Sequence, residues 1–158
     1  MKDKESGMSR ERVNHYIKIL IKENLIIKNK EKGKMPYYIA NRDYEKFRSE
    51  KRIYGLNLLK ELFDHLQSLK EVKTAILFGS FARGDWSNSS DIDLFVYGDI
   101  RNFEKGLFES KIKREIQLFN YKNAREIKED LDPKVFLNIA TGFNIKGTLE
   151  PFEVGLNA

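Results

Sequence analysis

A helical repeat of hydrophobic residues opens the chain. Its members recur at i, i+3, i+4 and i+7 and are Val13, Tyr16, Ile17 and Leu20. Ser9 precedes them as a predicted helix N-cap, and Asn24 ends the predicted helix. Two short extended runs follow at residues 25–27 and 37–39, with a turn at residues 31–33 between them. The pattern therefore predicts a helix followed by a small β-hairpin.

A second helical pattern extends from residue 42 to about residue 69. Its apolar stripe consists of Leu56, Leu59, Leu62, Phe63, Leu66 and Leu69. Gly55 lies just before this stripe, and we expect a joint there. The stripe is typical of a core helix and carries no side chains suited to catalysis.

Residues 75–78 form a short apolar run typical of a buried strand, and residues 91–96 form a second predicted strand. A short helix through Arg83, a turn at Gly84 and a polar loop are predicted between them. Further strands are expected at residues 115–119 and 145–149, and further helices at residues 102–110, 123–131 and 133–141. This order predicts the fold class α/β (α+β), with a small mixed sheet and helices against one face.

Composition narrows the functional classes. The chain has 158 residues, 41% of them hydrophobic, and no uncharged apolar run approaches the roughly 20 residues that span a bilayer. We therefore expect a cytoplasmic protein without a membrane partner. The absence of cysteine excludes thiol catalysis and cysteine-based metal sites, and His15 and His65 are too few for an all-histidine site. Any metal would be a hard cation held by carboxylates.

The charge is distributed unevenly. Residues 1–55 contain 15 Lys and Arg against 8 Asp and Glu, a net charge of +7, whereas the remainder has a net charge of −2. This asymmetry predicts modules with different partners. We assign a basic module to residues 1–55, a packing helix to residues 56–71 and the main domain to residues 72–158.

Asp91 and Asp93 are the candidate catalytic residues. They point to one side of a predicted strand that is otherwise apolar, and a buried charge is costly unless it is paired or bound to a metal. Pairing with Arg or Lys, or capping a neighbouring helix, is the alternative. Gly79 and Ser80 stand ten residues upstream at a strand-to-helix turn, which directs backbone N–H groups and a hydroxyl toward an anion. A carboxylate pair facing an anion site suits a metal–triphosphate complex.

The segment resembles the nucleotidyltransferases of the DNA polymerase β superfamily, and most closely the minimal nucleotidyltransferases. Their hallmark of Gly-Ser, ten residues and Asp-x-Asp is matched by Gly79-Ser80, residues 81–90 and Asp91-Ile92-Asp93. The resemblance implies transfer of a nucleoside monophosphate from an NTP, most often ATP, with release of pyrophosphate. It implies that Asp91 and Asp93 hold Mg²⁺ and that Gly79 and Ser80 bind the β- and γ-phosphates.

Three features of the predicted site leave alternatives open: the roles of Arg83 and Trp86 and the identity of a third acid. Arg83 neutralises the phosphates or pairs with Asp85, and Trp86 stacks on a nucleobase or covers the end of the sheet. Family members that catalyse usually carry a third carboxylate on a later strand, and here that position aligns with Gln117. Glu115 lies two residues away on the same face, about 6–7 Å along the strand. Either Glu115 is the third acid, which we favour, or the site binds metal and nucleotide but transfers poorly.

Residues 9–40 resemble the recognition helix and wing of winged helix-turn-helix domains. Only eight residues precede Ser9, so we expect an incomplete module whose apolar stripe is covered by another surface, such as that of a second subunit in a homodimer. If the module binds DNA, the residues near the major groove would be Arg10, Arg12, Asn14 and His15, and Lys30, Lys32 and Lys34 would contact phosphate. The alternative is a basic, solvated helix and hairpin used for packing.

The sequence thus predicts a Mg²⁺-dependent nucleotidyltransferase with an unknown acceptor, of which a protein is one candidate. One alternative is a DNA-binding transcriptional regulator whose nucleotidyltransferase-like domain binds nucleotide and metal without turnover. Others are an antitoxin-type partner of a HEPN toxin and a protein whose two modules only pack.

Overall fold

The computed structural model describes residues 7–149 and Phe152, which fall into two compact units. The first unit ends at Glu50 and the second begins at Lys51, so the division lies inside a helix, α2 (Glu45–Leu58). The domain bounds that we expect from the sequence, at residues 55 and 71, stay predictions. The predicted fold class, α/β with a small mixed sheet, is confirmed.

The first unit contains one complete helix and one two-stranded antiparallel sheet. Helix α1 (Arg10–Lys22) begins where the sequence predicts, because the Ser9 side chain accepts a hydrogen bond from the backbone N–H of Arg12. The hairpin pairs β1 (Ile26–Asn29) with β2 (Tyr37–Ala40). The order helix, strand, turn, strand is as predicted, and assignment to a winged helix stays a prediction.

The second unit contains a four-stranded mixed sheet in the order β5-β4-β3-β6. Its strands are β3 (Val72–Phe78), β4 (Ile92–Gly98), β5 (Ile116–Tyr121) and β6 (Phe143–Lys146). The two central strands, β3 and β4, are antiparallel to each other. Strand β5 runs parallel to β4, and β6 runs antiparallel to β3.

The described part of this unit also contains five further helices: α3 (Lys60–Ser68), α4 (Gly79–Arg83), α5 (Lys105–Ile112), α6 (Ala124–Asp130) and α7 (Pro133–Ala140). As the sequence predicts, Asp132 caps α7 by accepting from the N–H of Lys134 at 2.7 Å, with Pro133 in the first position. In the part of the chain that the structure describes, no helix has the length and apolar character required to cross a bilayer.

Helices pack on both faces of the sheet, which corrects the expectation of one covered face. Leu77 and Leu94 lie in a core with Leu62 of α3. On the other face, the core consists of Ile76, Phe78, Phe95, Ile127 of α6 and Ile139 of α7. The reason is that β3 and β4 are apolar at almost every position, so each face of the sheet must be covered.

Two predicted boundaries are also wrong. The long helix breaks at Leu59, between α2 and α3, whereas Gly55 lies buried inside α2 against Trp86. The last strand ends at Lys146 because Gly147 adopts a left-handed φ of 74° that a strand cannot continue. The first difference depends on a contact with a residue distant in sequence, Trp86, and the second on the left-handed backbone of Gly147.

We expect Gly55→Ala to destabilise the protein, although alanine normally stabilises a helix interior relative to glycine by about 0.5–1 kcal/mol. The new Cβ would lie 2.9 Å from Nε1 of Trp86 and 3.2 Å from Cδ1 of Phe81, so the aromatic pair must shift. We expect the free energy of unfolding, measured by urea denaturation, to fall by about 1–3 kcal/mol.

Gly106→Ala is the matched control, because Gly106 also lies in a helix, α5, and nothing stands within 4 Å of a Cβ added there. We expect this variant to be at least as stable as the wild-type chain. Equal stabilisation by both substitutions would contradict the packing of Gly55 against Trp86.

Candidate active site

The side chain of Asp93 lies against the bend at Gly79. Strand β3 ends at Phe78, whose partner across the sheet is Asp93, and Gly79 then turns the chain into α4 with a φ of 69°. A Cβ at Gly79 would overlap Oδ2 of Asp93 and lie 2.8 Å from its Cγ. Glycine is therefore required twice, by the left-handed backbone and by the carboxylate that occupies the space of a side chain.

The surroundings of Asp93 oppose its ionisation. Its side chain is partly buried, and this burial, together with the charge of Asp91, raises the pKa of Asp93 above its ordinary value of 3.8, while Arg83 lowers it. Within residues 7–149 and Phe152, neither carboxylate forms an ion pair with lysine, arginine or histidine. The structure therefore does not show the ion pairs with arginine or lysine that were the alternative explanation of these two acids. Two adjacent carboxylates without a cation partner fit a hard divalent ion.

Arg83 and Ser80 flank this pair. Nε of Arg83 donates to Oδ2 of Asp85 at 3.1 Å, and both side chains are about half exposed. Arg83 therefore forms the ion pair with Asp85, while its charge still acts on Asp93. The carbonyl of Ser80 accepts from the N–H groups of Gly84 and Asp85 at 2.9 and 3.1 Å, which closes the turn after α4.

The strand register decides which residue stands beside Asp93. In the parallel pair of β4 and β5, Asp93 is opposite Gln117. The same register, carried one residue further, sets Glu115 alongside Asp91, and the carbonyl of Glu115 accepts from the N–H of Ile92 at 2.9 Å. Among the described residues, no group of three His, Cys, Asp or Glu side chains could hold a metal ion. The structure thus brings Asp91 and Asp93 together without assembling a third acid, and the role of Glu115 stays a prediction.

The side chain of Trp86 is packed into the second unit. It is buried, its ring stacks on Phe81 with centroids 5.0 Å apart, and its Nε1 donates to the carbonyl of Lys51 at 3.2 Å. Tyr54 stacks 6.1 Å away. Of the two interpretations offered for Trp86, the structure favours a cover for the sheet end, because partners occupy its ring.

Sequence reasoning missed Arg114. Its Nη1 donates to three carbonyls of the loop that leads to Asp91, those of Ser87, Asn88 and Ser90, at 2.8, 3.1 and 2.9 Å. The chain pattern shows only a basic residue just before a strand, so no local signal distinguishes Arg114 from its neighbours Lys113 and Lys111.

The residues proposed to contact nucleic acid lie in the first unit, and the carboxylates lie in the second. All of the former are exposed: Arg10, Arg12, Asn14, His15, Lys30, Lys32 and Lys34. Lys34 also pairs with Glu31 on the hairpin turn. Nothing in their environment identifies a ligand.

One cavity of the second unit has a volume of about 500 Å³. Its lining combines apolar side chains, Leu58, Leu62, Phe108 and Ile112, with polar ones, Asn57, Lys60, Glu61 and Lys111. Neither Asp91 nor Asp93 lines it. The geometry at Gly79, rather than cavity volume, therefore identifies the candidate site.

Residues 59–142, a little more than half of the chain, match the family model described as "Nucleotidyltransferase domain". The matched segment contains Gly79, Asp91 and Asp93. The chain therefore belongs to the nucleotidyltransferase domain family, as the motif predicts.

One relative, from Methanocaldococcus jannaschii, is named "Putative protein adenylyltransferase MJ0604" and is 46% identical over 44 residues. This match spans 27% of the present chain and 44% of the relative, less than half of its length.

Three solved structures are also similar. One is a toxin-antitoxin with AMP-PNP (21% identity, TM-score 0.40, covering 66% of this chain and 78% of that chain). Another is a mutant of the toxin-antitoxin MntA-HpeT (16% identity, TM-score 0.38, covering 65% of this chain and 78% of that chain). A third is described as "a putative nucleotidyltransferase from Sulfolobus solfataricus" (22% identity, TM-score 0.32, covering 54% of this chain and 81% of that chain). Similarity at these TM-scores carries no conclusion about activity or partners.

We expect Asp93→Asn to stabilise the metal-free protein at neutral pH. Because folding raises the pKa of Asp93, the folded chain binds a proton more tightly than the unfolded chain. The wild-type contribution is therefore favourable below the ordinary pKa of 3.8 and is lost as pH rises through the higher folded value. The melting temperature of Asp93→Asn should exceed that of wild type by a few degrees at pH 7, and the difference should shrink on acidification.

Added Mg²⁺ should raise the melting temperature of wild type above that of Asp93→Asn. A ligand at ten times its dissociation constant stabilises the folded state by about 1.4 kcal/mol, and only the wild-type pair retains both carboxylates. Asp64→Asn, which alters an exposed acid paired with Lys60, is the control and should leave the Mg²⁺ response intact. If Asp93→Asn melted below wild type at pH 7 without added Mg²⁺, the inference that folding opposes ionisation of Asp93 would be wrong.

Proposed function

We propose that the protein transfers AMP from Mg-ATP to an acceptor hydroxyl and releases pyrophosphate. The observation that carries the proposal is the carboxylate of Asp93 set over the Gly79 bend, with Asp91 close enough to raise its pKa. This arrangement lies inside the segment that matches the family.

Each residue of the site has a proposed task. Asp91 and Asp93 hold the divalent ion, which when bound neutralises phosphate charge and polarises the phosphoryl group. The bend at Gly79 and Ser80 binds the β- and γ-phosphates through N–H groups at the start of α4, which have no partner within the helix. Arg83 adds positive charge at the same turn while it remains paired with Asp85.

The reaction balances without a further reagent. The acceptor oxygen forms a bond to the α-phosphorus, the bond from that phosphorus to the bridging oxygen breaks, and pyrophosphate leaves with the electron pair. The hydroxyl proton passes to a base, and Glu115 is the candidate because it flanks Asp91 in the strand register. Gln117, which stands directly beside Asp93, is an amide and cannot accept the proton.

We further propose that the acceptor is a hydroxyl of another protein. Support comes from the relative whose name describes a protein adenylyltransferase, although the match covers only part of each chain. The HEPN-toxin partner, the homodimer and DNA contact by the first unit stay predictions from the sequence. A regulator that binds nucleotide without turnover remains the competing function, and Gln117 is the observation that favours it.

A transfer assay distinguishes these functions. With ATP labelled at the α-phosphate, Mg²⁺ and a cell extract as the source of acceptor protein, we expect label in protein and release of pyrophosphate. Asp91→Asn should reduce both by about 100-fold or more, since electrostatic stabilisation of the transition state contributes on that scale. Asp64→Asn serves as the control and should retain activity, because Asp64 is an exposed acid paired with Lys60.

Equal turnover by Asp91→Asn and wild type would refute the proposal. Tight Mg-ATP binding that is lost in Asp91→Asn, without pyrophosphate from any extract, would favour the sensor instead.

The role of Glu115 as the third acid is tested separately, with one variant that removes the charge at position 115 and another that adds a charge at position 117. Glu115→Gln should lower turnover by about 100-fold with little change in KM for ATP, because general base catalysis contributes roughly 10²–10⁴-fold. Gln117→Glu should tighten Mg²⁺ binding, because it places a carboxylate beside Asp93. Glu129→Gln, which removes an exposed acid paired with Arg125 on α6, is the control. Unchanged turnover in Glu115→Gln would remove Glu115 from the mechanism.

A further inference from the structure

The guanidinium of Arg114 joins the loop before Asp91 to the rest of the second unit. One nitrogen, Nη1, donates to the carbonyls of Ser87, Asn88 and Ser90 at 2.8, 3.1 and 2.9 Å. These carbonyls converge because the loop turns tightly: the N–H of Ser87 donates to Oγ of Ser90 at 2.8 Å, and the N–H of Ser90 donates to the carbonyl of Ser87 at 3.2 Å. Converging carbonyls require a donor, and a cation is the strongest one available.

The same side chain also contacts the aromatic pair under the loop. The central carbon of the Arg114 guanidinium lies 5.3 Å from the ring centroid of Phe81 and 5.3 Å from that of Trp86. Phe81 belongs to α4, the helix that starts at the Gly79 bend, and is fully buried. Arg114 therefore contacts both the helix that follows the Gly79 bend and the loop that leads to the carboxylates. A planar guanidinium can stack and donate at once, which the point charge of lysine cannot do.

The position of Arg114 in the chain adds a third link. Arg114 directly precedes Glu115, whose carbonyl accepts from the N–H of Ile92, next to Asp91. Ser90, the last carbonyl held by the guanidinium, directly precedes Asp91. The backbone on the two sides of Asp91 is thus tied to two consecutive residues, with Ser90 held by Arg114 and Ile92 held by Glu115.

We propose that Arg114 is a positioning residue that fixes the spacing of Asp91 from Asp93, and so the affinity of the pair for a divalent cation. Arg114 acts through the loop and does not touch the nucleotide. This role deepens the proposed function and rests on it. Without Arg114, the 87–90 turn opens, Asp91 is no longer held beside Asp93, and the cation binds more weakly.

The test measures Mn²⁺ binding in the absence of nucleotide, from the electron paramagnetic resonance signal of free Mn²⁺, on the full chain. Arg114→Ala should weaken Mn²⁺ binding by about 10-fold or more, the loss typical when a residue that orients metal ligands is removed. Hydrogen exchange of the amides at residues 87–90 should accelerate, while circular dichroism shows that the chain is folded. Arg125→Ala removes an exposed arginine paired with Glu129 on α6, and should change neither quantity.

Arg114→Lys is the second variant, and it serves if Arg114→Ala does not fold. It keeps the charge and loses the planar fork, so we expect Mn²⁺ binding several-fold weaker than that of wild type, with partial loop protection. In transfer assays, the concentration of Mg²⁺ that gives half-maximal rate should rise, and excess Mg²⁺ should restore much of the rate.

A folded Arg114 variant that binds Mn²⁺ within twofold of wild type, with unchanged exchange at residues 87–90, overturns the positioning role and leaves the proposed function standing. A wild-type chain that binds neither Mn²⁺ nor Mg-ATP overturns the proposed function and the metal-positioning role with it. A rate lost in Arg114→Ala that excess Mg²⁺ does not restore, with Mn²⁺ affinity unchanged, also overturns the role.

Discussion

The contact between the Asp93 carboxylate and the Gly79 bend is the constraint on which the site depends. The sheet enforces it, since Asp93 pairs with Phe78, the residue that precedes the bend. It requires an ionisable acid to stand partly buried beside a second acid, which raises the pKa of Asp93 and opposes its ionisation. A cation bound there, as we propose, would relieve this cost, and it would link metal binding to the stability of the fold at this one position.

The surrounding fold tolerates the free-energy cost of placing the partly buried carboxylate of Asp93 beside Asp91. The two central strands are apolar on both faces, and separate cores cover them, one built with α3 and the other with α6 and α7. The acids lie where β4 begins and β3 ends, at the margin of both cores. The loop between these strands is fixed by Phe81, Trp86 and Arg114 rather than by ion pairs with the acids. The carboxylates are held by backbone and packing, and their charge remains available for a ligand.

Gln117 stands at the strand position where the resemblance to the catalytic members of the family implies a third carboxylate. The register places an amide directly beside Asp93, while the nearest acid on that strand, Glu115, stands alongside Asp91. An amide can bind a metal or a phosphate oxygen but cannot serve as a base. Family membership therefore indicates the class of reaction, and the amide at position 117 bears on whether the site catalyses it.

The sequence by itself determined the features that depend on near neighbours along the chain. These include the caps at Ser9 and Asp132, the Gly-Ser to Asp-x-Asp spacing and the apolar central strands, because each is governed by backbone geometry over a few residues. Tertiary structure alone decided the break at Leu59 in place of Gly55 and the contacts of Arg114. In each of these, the deciding contact joins residues distant in sequence: Gly55 with Trp86, and Arg114 with Ser87. Local periodicity carries no information about such contacts, because they exist only once the sheet has brought the segments together.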